Sequence, residues 1–253
     1  MTVPPRVYRV QALVLHRHNL GETDRIARLF TREYGKVGAV AKGARGPRSR
    51  LSGATEPFTR LSGQLARGQN LDILTQAVVE DAYPALRRDL TRVGFAAHCL
   101  EIADAGLEER QPSPEFWDLT VSTLKLLETA VSPDLLARAF EWRALSVLGY
   151  EPFLEACVED GAGVLGPGAQ FHPQRGGLLC PRCAHTIRGG VRLLPQSVQA
   201  LRELPGVRLS DAARASLPDA VRREVAACLA GSLRQHLGTE LRGLQFLEGV
   251  SEL

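Results

Sequence analysis

The chain has 253 residues, of which 44% are hydrophobic and 23% are charged, a balance typical of a globular protein and not of a disordered or membrane-embedded one. No stretch approaches the roughly 18 apolar residues that a membrane helix needs, and the first residues lack the apolar run of a signal peptide. We therefore expect a cytoplasmic protein without a membrane partner, whose five cysteines stay reduced and available to a metal.

The charge is unevenly distributed along the chain. The net charge of +3 combines +7 in residues 1–80 with −4 in residues 81–253. An excess of cations in one segment attracts an anionic partner to that segment. The sequence therefore predicts an anion-binding N-terminal part.

Five short apolar runs in the first 80 residues predict β-strands, because they are bounded by Gly-containing turns and a polar loop. The runs are Tyr8–Leu15, Arg25–Phe30, Lys36–Ala41, Pro57–Leu65 and Leu71–Val79. Five short strands with bends marked by glycine suit a small closed barrel, of which the OB-fold is the five-stranded version. Residues 1–80 are therefore predicted to form an OB-fold.

Beyond Asp81 the apolar residues follow helical spacing. Ser113 precedes Pro114 and Ser132 precedes Pro133, and each pair is typical of an N-cap followed by proline at the first helical position. A last helix is predicted from Pro218 to Gly238. The chain is thus predicted to be an α+β protein, with the barrel followed by a helical domain in residues 81–253.

A basic segment lies between the third and fourth predicted strands. Between Tyr34 and Thr55 it contains no acidic residue and five cations, Lys36, Lys42, Arg45, Arg48 and Arg50. Cations interleaved with glycine can each contact a phosphate without recognising a base, and the alternative is a solubilising surface loop. Tyr34 is a candidate base-stacking residue, whereas Phe30 and Phe58 are assigned to the barrel interior.

A second constellation predicts a zinc site in an insert at about residues 151–190. Cys157 and Asp160 form one pair at a spacing of three, and Cys180 and Cys183 form another. Two such pairs separated by a loop of this length are typical of a four-coordinate zinc site. His172 and His185 are rival ligands to Asp160, and the alternative to any metal is that the cysteines are buried apolar residues. A site with four protein ligands would be structural and not catalytic.

No enzyme signature is supported by its context. The Pro-Cys-x-x-Cys arrangement of zinc deaminases is absent, as is the Gly-Lys-Ser/Thr of nucleotide hydrolases. We therefore predict no catalytic residue. Arg87, Arg88 and Arg92 either extend the basic surface or form a solvated helix face beside Asp89.

Taken together, these motifs resemble the bacterial RecO family of recombinational DNA-repair mediators. The resemblance spans most of the chain. It is carried by Gly21-Glu22-Thr23-Asp24, Leu29-Phe30-Thr31, Gly35-Lys36, Lys42-Gly43-Ala44-Arg45, Ser49-Arg50-Leu51, Glu56-Pro57-Phe58, Tyr83, Leu86-Arg87, Asp89-Leu90, Leu148-Gly149-Tyr150, Phe171 and Gly176-Gly177-Leu178-Leu179-Cys180. Many family members have Cys-x-x-Cys where this chain has Cys157-x-x-Asp160.

The resemblance implies an OB-fold, a helical domain with a zinc-finger-like insert, and a non-enzymatic role on the nucleoid. Family members bind single- and double-stranded DNA, anneal strands coated with single-strand-binding protein, and work with RecR to load RecA. By position, the five cations of the basic segment would contact the phosphates. Cys157, Asp160, Cys180 and Cys183 would bind a structural Zn²⁺. Another function remains open, in which the basic barrel binds an acidic protein tail.

Overall fold

The computed structural model describes residues 6–164 and 167–238. The chain divides into two compact units at the Glu128/Thr129 junction. The first contains the predicted strands together with two long helices, and the second contains further helices and a small sheet. Among the described residues, no helix combines the length and apolar character needed to cross a membrane.

The first unit is built on a closed five-stranded barrel. Its strands are β1 (Val7–Leu20), β2 (Asp24–Thr31), β3 (Gly35–Ala41), β4 (Arg60–Ala66) and β5 (Asp72–Asp81). They pair in the order β1-β2-β3-β5-β4, antiparallel except for the short parallel contact between β3 and β5. The prediction of an OB-type barrel is confirmed.

The barrel closes around inward-facing apolar side chains. They include Val10, Ala12, Val14, Ala27, Leu29, Val37, Ala39, Leu61, Leu65 and Leu74. Alternation along each strand places every second side chain inside, and burial of each leucine stabilises the fold by about 2 kcal/mol. Phe30 is an exception to the predicted interior, because its ring lies 5.3 Å from that of Trp117 on a neighbouring helix.

The structure differs from the sequence prediction at three places. Strand β4 begins at Arg60 and not at Pro57, because Phe58, predicted to lie inside the barrel, is only partly buried and has φ +66°, which is incompatible with an extended strand. Strand β1 continues five residues past Leu15, since its polar end still pairs with β2 from His16 to Leu20 after a bulge. A short helix, α1 (Arg50–Ala54), forms the end of the basic segment, where no element was predicted. Hydrogen-bonded pairing thus extends regular structure into polar sequence that hydrophobic periodicity does not mark.

Helices α2 (Leu90–Gly106) and α3 (Pro114–Leu127) complete the first unit. Asp89 caps α2, because its carboxylate accepts hydrogen bonds from the amides of Thr91 and Arg92. Such a cap contributes about 1 kcal/mol. The helix predicted at Ser113 begins as expected at Pro114, although the Ser113 side chain makes no capping hydrogen bond.

Gly35 fixes the turn between β2 and β3 against the segment that joins α2 to α3. Its φ of +65° lies in the left-handed region, and a β-carbon there would overlap the backbone carbonyl of Gln111. Only glycine meets both conditions. The turn is therefore held tightly against the helical part of the same unit.

In its described residues, the second unit contains five α-helices and a three-stranded sheet. The helices are α4 (Pro133–Val147), α5 (Pro181–Thr186), α6 (Pro195–Glu203), α7 (Leu209–Ala212) and α8 (Asp219–Leu237). The strands β6 (Gln170–His172), β7 (Gly177–Leu179) and β8 (Val191–Arg192) pair in the order β7-β6-β8. Helix α8 ends at Gly238 with φ +62°, as the sequence predicts.

Candidate nucleic-acid interface and metal centre

The basic loop, defined as residues 42–50 after strand β3, presents its cations to solvent. Lys42, Arg45, Arg48 and Arg50 are all exposed, whereas Ala44 between them is buried in the barrel core. Among the described residues, none of these four cations lies within 4.0 Å of a carboxylate oxygen. Their charge is therefore available to an external anion.

The turn between β1 and β2 anchors this loop. The carboxylate of Asp24 accepts a 2.8 Å hydrogen bond from the amide of Gly43, and the amide of Arg45 donates to the carbonyl of Thr23 at 2.9 Å. The hydrogen bond from Gly43, with a smaller one from Thr23, lowers the pKa of Asp24. Asp24 is therefore an ionised anchor at neutral pH, and the basic loop has a defined backbone.

Further hydrogen bonds continue along the loop. Gly46 donates to the Gly43 carbonyl at 3.1 Å and Ser49 donates to Gly46 at 3.0 Å. The Arg45 guanidinium also donates to the Gly21 carbonyl, which leaves only part of that side chain for a ligand. Successive turns and the hydrogen bond from Gly43 to Asp24 therefore order the loop along its length.

Lys36 is placed differently from the other four predicted cations. Its side chain is 10% exposed, and Nζ lies 3.3 Å from Oδ1 of Asp104 on α2 and donates to the Asp104 carbonyl. Desolvation of a buried, paired ammonium makes it a poor contact for an external phosphate. The assignment of Lys36 as a phosphate contact is therefore not supported by its placement, and its role is to join the barrel to α2.

The arginines that follow the barrel are divided between two roles. Arg92 pairs with Asp89 at 3.1 Å, as in the solvated-face alternative. Arg87 donates to the carbonyls of Ala82 and Pro57. Arg88 is exposed, and no acid lies within 4.0 Å of it in the described part of the chain.

Aromatic support for base stacking is weak. The Tyr34 ring packs edge-to-face on Tyr8 with 4.7 Å between centroids and contacts the barrel core. Phe58 lies beneath the Arg87 guanidinium at 5.7 Å. Both rings are engaged within the protein, which favours contact with the nucleic-acid backbone over stacking on bases.

The structure brings the four predicted metal ligands together in the second unit. The ligand atoms of Cys157, Asp160, Cys180 and Cys183 all lie within 4.8 Å of one another. Two thiols around tetrahedral zinc, each at ~2.3 Å, are separated by roughly 3.8 Å. The four ligand atoms therefore lie at separations close to those around one tetrahedral ion.

Two tight turns build the cluster. The first runs from Cys157 to Ala162, where the Cys157 amide donates to the Ala162 carbonyl at 2.8 Å. The second follows β7, whose end leads into Cys180 and helix α5. A 2.9 Å hydrogen bond from the amide of Val158 to the carbonyl of Leu178 holds the two turns side by side.

The electrostatics of the cluster suit a cation. Burial raises the pKa of Cys157, but hydrogen bonds from the amides of Cys180, Glu159 and Asp160 outweigh it and lower the pKa. The Asp160 carboxylate beside it raises the pKa of Cys183 to about 12. The rise follows from the negative charge of the neighbouring groups, which disfavours a further thiolate. A divalent cation bound in the cluster would instead lower the pKa of Cys183.

Asp160 occupies the position of the fourth ligand. Its Oδ2 lies 3.1 Å from the Cys183 thiol and 3.5 Å from the Cys180 thiol, and Arg182 pairs with it at 2.6 Å. That pairing is the main cause of its lowered pKa. Three thiols and one ionised carboxylate fit Zn²⁺ chemically, since zinc accepts sulfur and oxygen ligands.

The rival histidines lie outside this cluster. His172 is buried, and its Nε2 lies 3.0 Å from the carbonyl of Arg188, while His185 is exposed on α5. The remaining two cysteines, Cys99 and Cys228, are buried in helices α2 and α8. Among the described residues, the cluster therefore unites two cysteines of one turn with a cysteine and an aspartate of the other.

These features define an α+β protein of the OB-barrel type with a cysteine-rich insert in its helical unit. The chain matches the family models for "Recombination protein O N terminal" over residues 6–83 and "Recombination protein O C terminal" over residues 87–245. It is 35% identical over 245 residues to the DNA repair protein RecO of Symbiobacterium thermophilum, covering 96% of this chain and 97% of that one.

Two further relatives show similar coverage. The chain is 35% identical to the DNA repair protein RecO of a Roseiflexus species, over 98% of this chain and 87% of that one. It is 36% identical to that of Anaeromyxobacter dehalogenans, over 97% of each. The chain therefore belongs to the RecO family, and its role is in DNA repair and recombination.

Proposed function

We propose that this protein is a non-enzymatic mediator that binds single- and double-stranded DNA and anneals complementary strands. The observation that carries the proposal is the basic loop, in which Lys42, Arg48 and Arg50 are exposed on an ordered backbone and, among the described residues, have no carboxylate oxygen within 4.0 Å. Lys and Arg heads that neutralise phosphates supply most of the sequence-independent affinity for nucleic acid.

Backbone contact suits annealing. A strand held by its phosphates keeps both the edges and the faces of its bases free to pair and stack with a complement, whereas aromatic rings stacked on the bases would occupy their faces. Tyr34 and Phe58 are both packed within the protein. The basic loop therefore fits a protein that presents a strand for pairing better than one that stores it.

Membership of the RecO family supports the same partners for this chain. We propose that it acts with RecR to assist loading of RecA onto DNA coated with single-strand-binding protein. The cluster of Cys157, Asp160, Cys180 and Cys183 would bind Zn²⁺ in a structural role, because protein ligands fill all four positions of a tetrahedral site.

A pair of substitutions with a matched control tests the proposal. Lys42→Gln with Arg48→Gln should weaken binding of a single-stranded oligonucleotide by at least about tenfold and reduce the slope of log K against log salt by about 1.4, which is 0.7 for each lost phosphate contact. Fluorescence anisotropy at several salt concentrations measures both. The control, Arg9→Gln with Arg67→Gln, removes the same charge from exposed arginines of the same unit.

Equal affinity losses in the two double variants would show a general charge effect and contradict a localised site. Unchanged affinity in the Lys42 and Arg48 variant would move the interface elsewhere. If the protein binds no DNA but binds an acidic peptide through these residues, the adaptor function replaces the proposed one.

A further inference from the structure

The insert contains a second segment that is basic and free of acids. Between Asp160 and Glu203 there is no Asp or Glu, and the segment contains Arg175, Arg182, Arg188, Arg192 and Arg202. The net negative charge of the helical domain as a whole conceals this local excess. The structure shows which of these arginines are available to a ligand.

Two adjoining grooves meet at Arg188. The first has a volume of about 780 Å³ and is lined by residues of α5, β8 and the start of α6, including Arg192. The second has a volume of about 450 Å³ and lies between the Pro173–Arg175 turn, β8 and α8, where it is lined by Arg234. Arg188 and Gly189 line both grooves, and no carboxylate lines either.

Among the described residues, the three groove arginines have no internal partner. Arg188, Arg192 and Arg234 are exposed, and none has a carboxylate within 4.0 Å among the described residues. Seven other arginines of the same unit are engaged, whereas Arg214 and Arg223 are exposed outside the grooves. Ion pairs hold Arg138, Arg175, Arg182, Arg208 and Arg222, and backbone carbonyls accept from Arg143 and Arg202.

The backbone that carries Arg188 is held in place. The buried His172 contacts the Arg188 carbonyl at 3.0 Å. The following Gly189 has φ +97°, and a β-carbon on Gly190 would lie 2.8 Å from Oε1 of Gln170. This segment therefore presents the guanidinium from a fixed position, as the anchored basic loop does in the first unit.

The ligand that fits must carry negative charge along its length. The cations lie in two consecutive grooves, and the polar lining also includes the neutral amides of Gln170, Gln174 and Gln235 and the imidazoles of His172 and His185. A nucleic-acid strand has one negative charge per nucleotide and is bound by cations spaced along a groove. No Phe, Tyr or Trp lines either groove, which again favours the backbone over the bases.

We propose that the two grooves form a second DNA-backbone site, termed the insert site and consisting of Arg188, Arg192 and Arg234, which holds the second strand during annealing. This inference rests on the proposed function. The basic loop holds one strand and the insert site the other, so that one molecule increases the local concentration of the two strands.

The test compares four proteins in one set of measurements. They are the wild type, the insert variant Arg188→Gln/Arg192→Gln, the loop variant Lys42→Gln/Arg48→Gln, and a control variant Arg214→Gln/Arg223→Gln. The control removes two exposed arginines of the same unit that lie outside both grooves. Circular dichroism and thermal unfolding confirm that each variant is folded.

Three readouts separate the sites. Anisotropy with a labelled oligonucleotide of about 20 nucleotides, a length suited to one or two site sizes, measures capture of the first strand. Capture of a labelled, non-complementary oligonucleotide by protein saturated with an unlabelled one measures the second site. Annealing is followed with a fluorophore and quencher on complementary strands.

We expect the insert variant to bind the first strand within twofold of the wild type, to lose at least about tenfold in affinity for the second strand, and to anneal at least about tenfold more slowly. Adding Arg234→Gln should deepen the loss of second-strand affinity. The control variant should match the wild type. If the insert variant captures the second strand normally, or if it loses the first strand equally, the insert site is overturned.

Failure of the proposed function gives a different pattern. If the loop variant binds the first strand normally while the insert variant loses second-strand capture, the assignment of the basic loop fails and the insert site stands. If the grooves bind an acidic peptide and no oligonucleotide, the insert site for DNA is rejected in favour of a protein-docking surface.

Discussion

Lys36 of strand β3 and Asp104 of helix α2 form a charge pair in which Nζ lies 3.3 Å from Oδ1. The same carboxylate receives His16 at 3.2 Å and Arg28 at 3.4 Å. One acid on α2 thus gathers side chains from three barrel strands. Because of this pair, Lys36 joins strand β3 to helix α2 and stabilises the fold, although it belongs to the basic segment.

Substitution of Lys36 should affect stability and spare DNA binding. Lys36→Gln leaves the partly buried Asp104 with fewer partners, so we expect the free energy of unfolding to fall by about 1–2 kcal/mol with unchanged DNA affinity. Urea denaturation and anisotropy measure the two effects. Lys42→Gln, at an exposed position, should show the reverse, and a large loss of DNA affinity in Lys36→Gln would restore it to the interface.

Ionisation of Asp104 is predicted to make the free energy of unfolding depend on pH in the acidic range. Burial raises the pKa of Asp104, but hydrogen bonds and charges from His16 and Lys36 outweigh it and lower the pKa from 3.8 to about 2. Because the folded pKa is the lower one, the stabilisation is fully present above pH 3.8 and is lost as the pH falls towards 2.

Urea unfolding of the wild type and Asp104→Asn across this range measures the effect. The difference in unfolding free energy between the two proteins should shrink by about 2 kcal/mol from pH 5 to pH 2. Acid release of a metal affects both proteins and cancels in the difference. A difference that is constant with pH would show that ionisation of Asp104 contributes nothing.

The metal centre predicts a specific dependence on Asp160. Asp160→Ala should lower zinc affinity by about 10–100-fold because one ligand is removed, and Asp160→Cys should preserve or raise it because four thiolates form a common zinc site. Competition with a chromogenic chelator measures the affinities. Glu159→Ala is the neighbouring control, since that carboxylate pairs with Arg175 outside the cluster; wild-type affinity in Asp160→Ala would remove the carboxylate from the ligand set.

The sequence predicted those parts of the molecule whose signals are local. Alternating apolar residues and the glycine at the β2–β3 turn identified the barrel, and the spacing of Cys157, Asp160, Cys180 and Cys183 identified the cluster. Phe30 was misplaced because alternation marks two faces of a strand without saying which one a helix such as α3 will cover.

The sequence analysis missed a contact between residues far apart in the chain and a local excess of positive charge. Lys36 was predicted to contact phosphate because the sequence does not reveal its partner. That partner, Asp104, is 68 positions away in the chain, and periodicity does not identify such pairs. Arg188 and Arg192 were overlooked because charge was summed over residues 81–253. A search for acid-free windows, which identified the basic loop, would have found them as well.

The hydrogen bond between Gly43 and Asp24 predicts a change in DNA affinity that is opposite in sign to the change expected from charge alone. Asp24→Ala removes a negative charge near the loop, which by itself should strengthen DNA binding. We expect it instead to weaken binding about three- to tenfold, because the amide of Gly43 loses its acceptor and the cations lose their fixed spacing. Anisotropy at constant salt measures the change.

Glu22→Ala removes an acid from the same turn and serves as the comparison, since its exposed side chain is not the acceptor for Gly43. It should bind DNA as well as the wild type or slightly better. If the two variants gain affinity equally, the anchor has no role in binding.

An anchored loop also changes the entropy of association. Ordering one residue of a flexible segment costs about 1–2 kcal/mol in backbone entropy, and binding by a disordered tail incurs that cost at every encounter. In this protein, folding of the barrel already orders residues 42–50 through Asp24, Thr23 and the successive turns. On binding, only the rotations near the charged ends of the Lys and Arg side chains are restricted. A strand can therefore bind and dissociate repeatedly with little reorganisation of the protein.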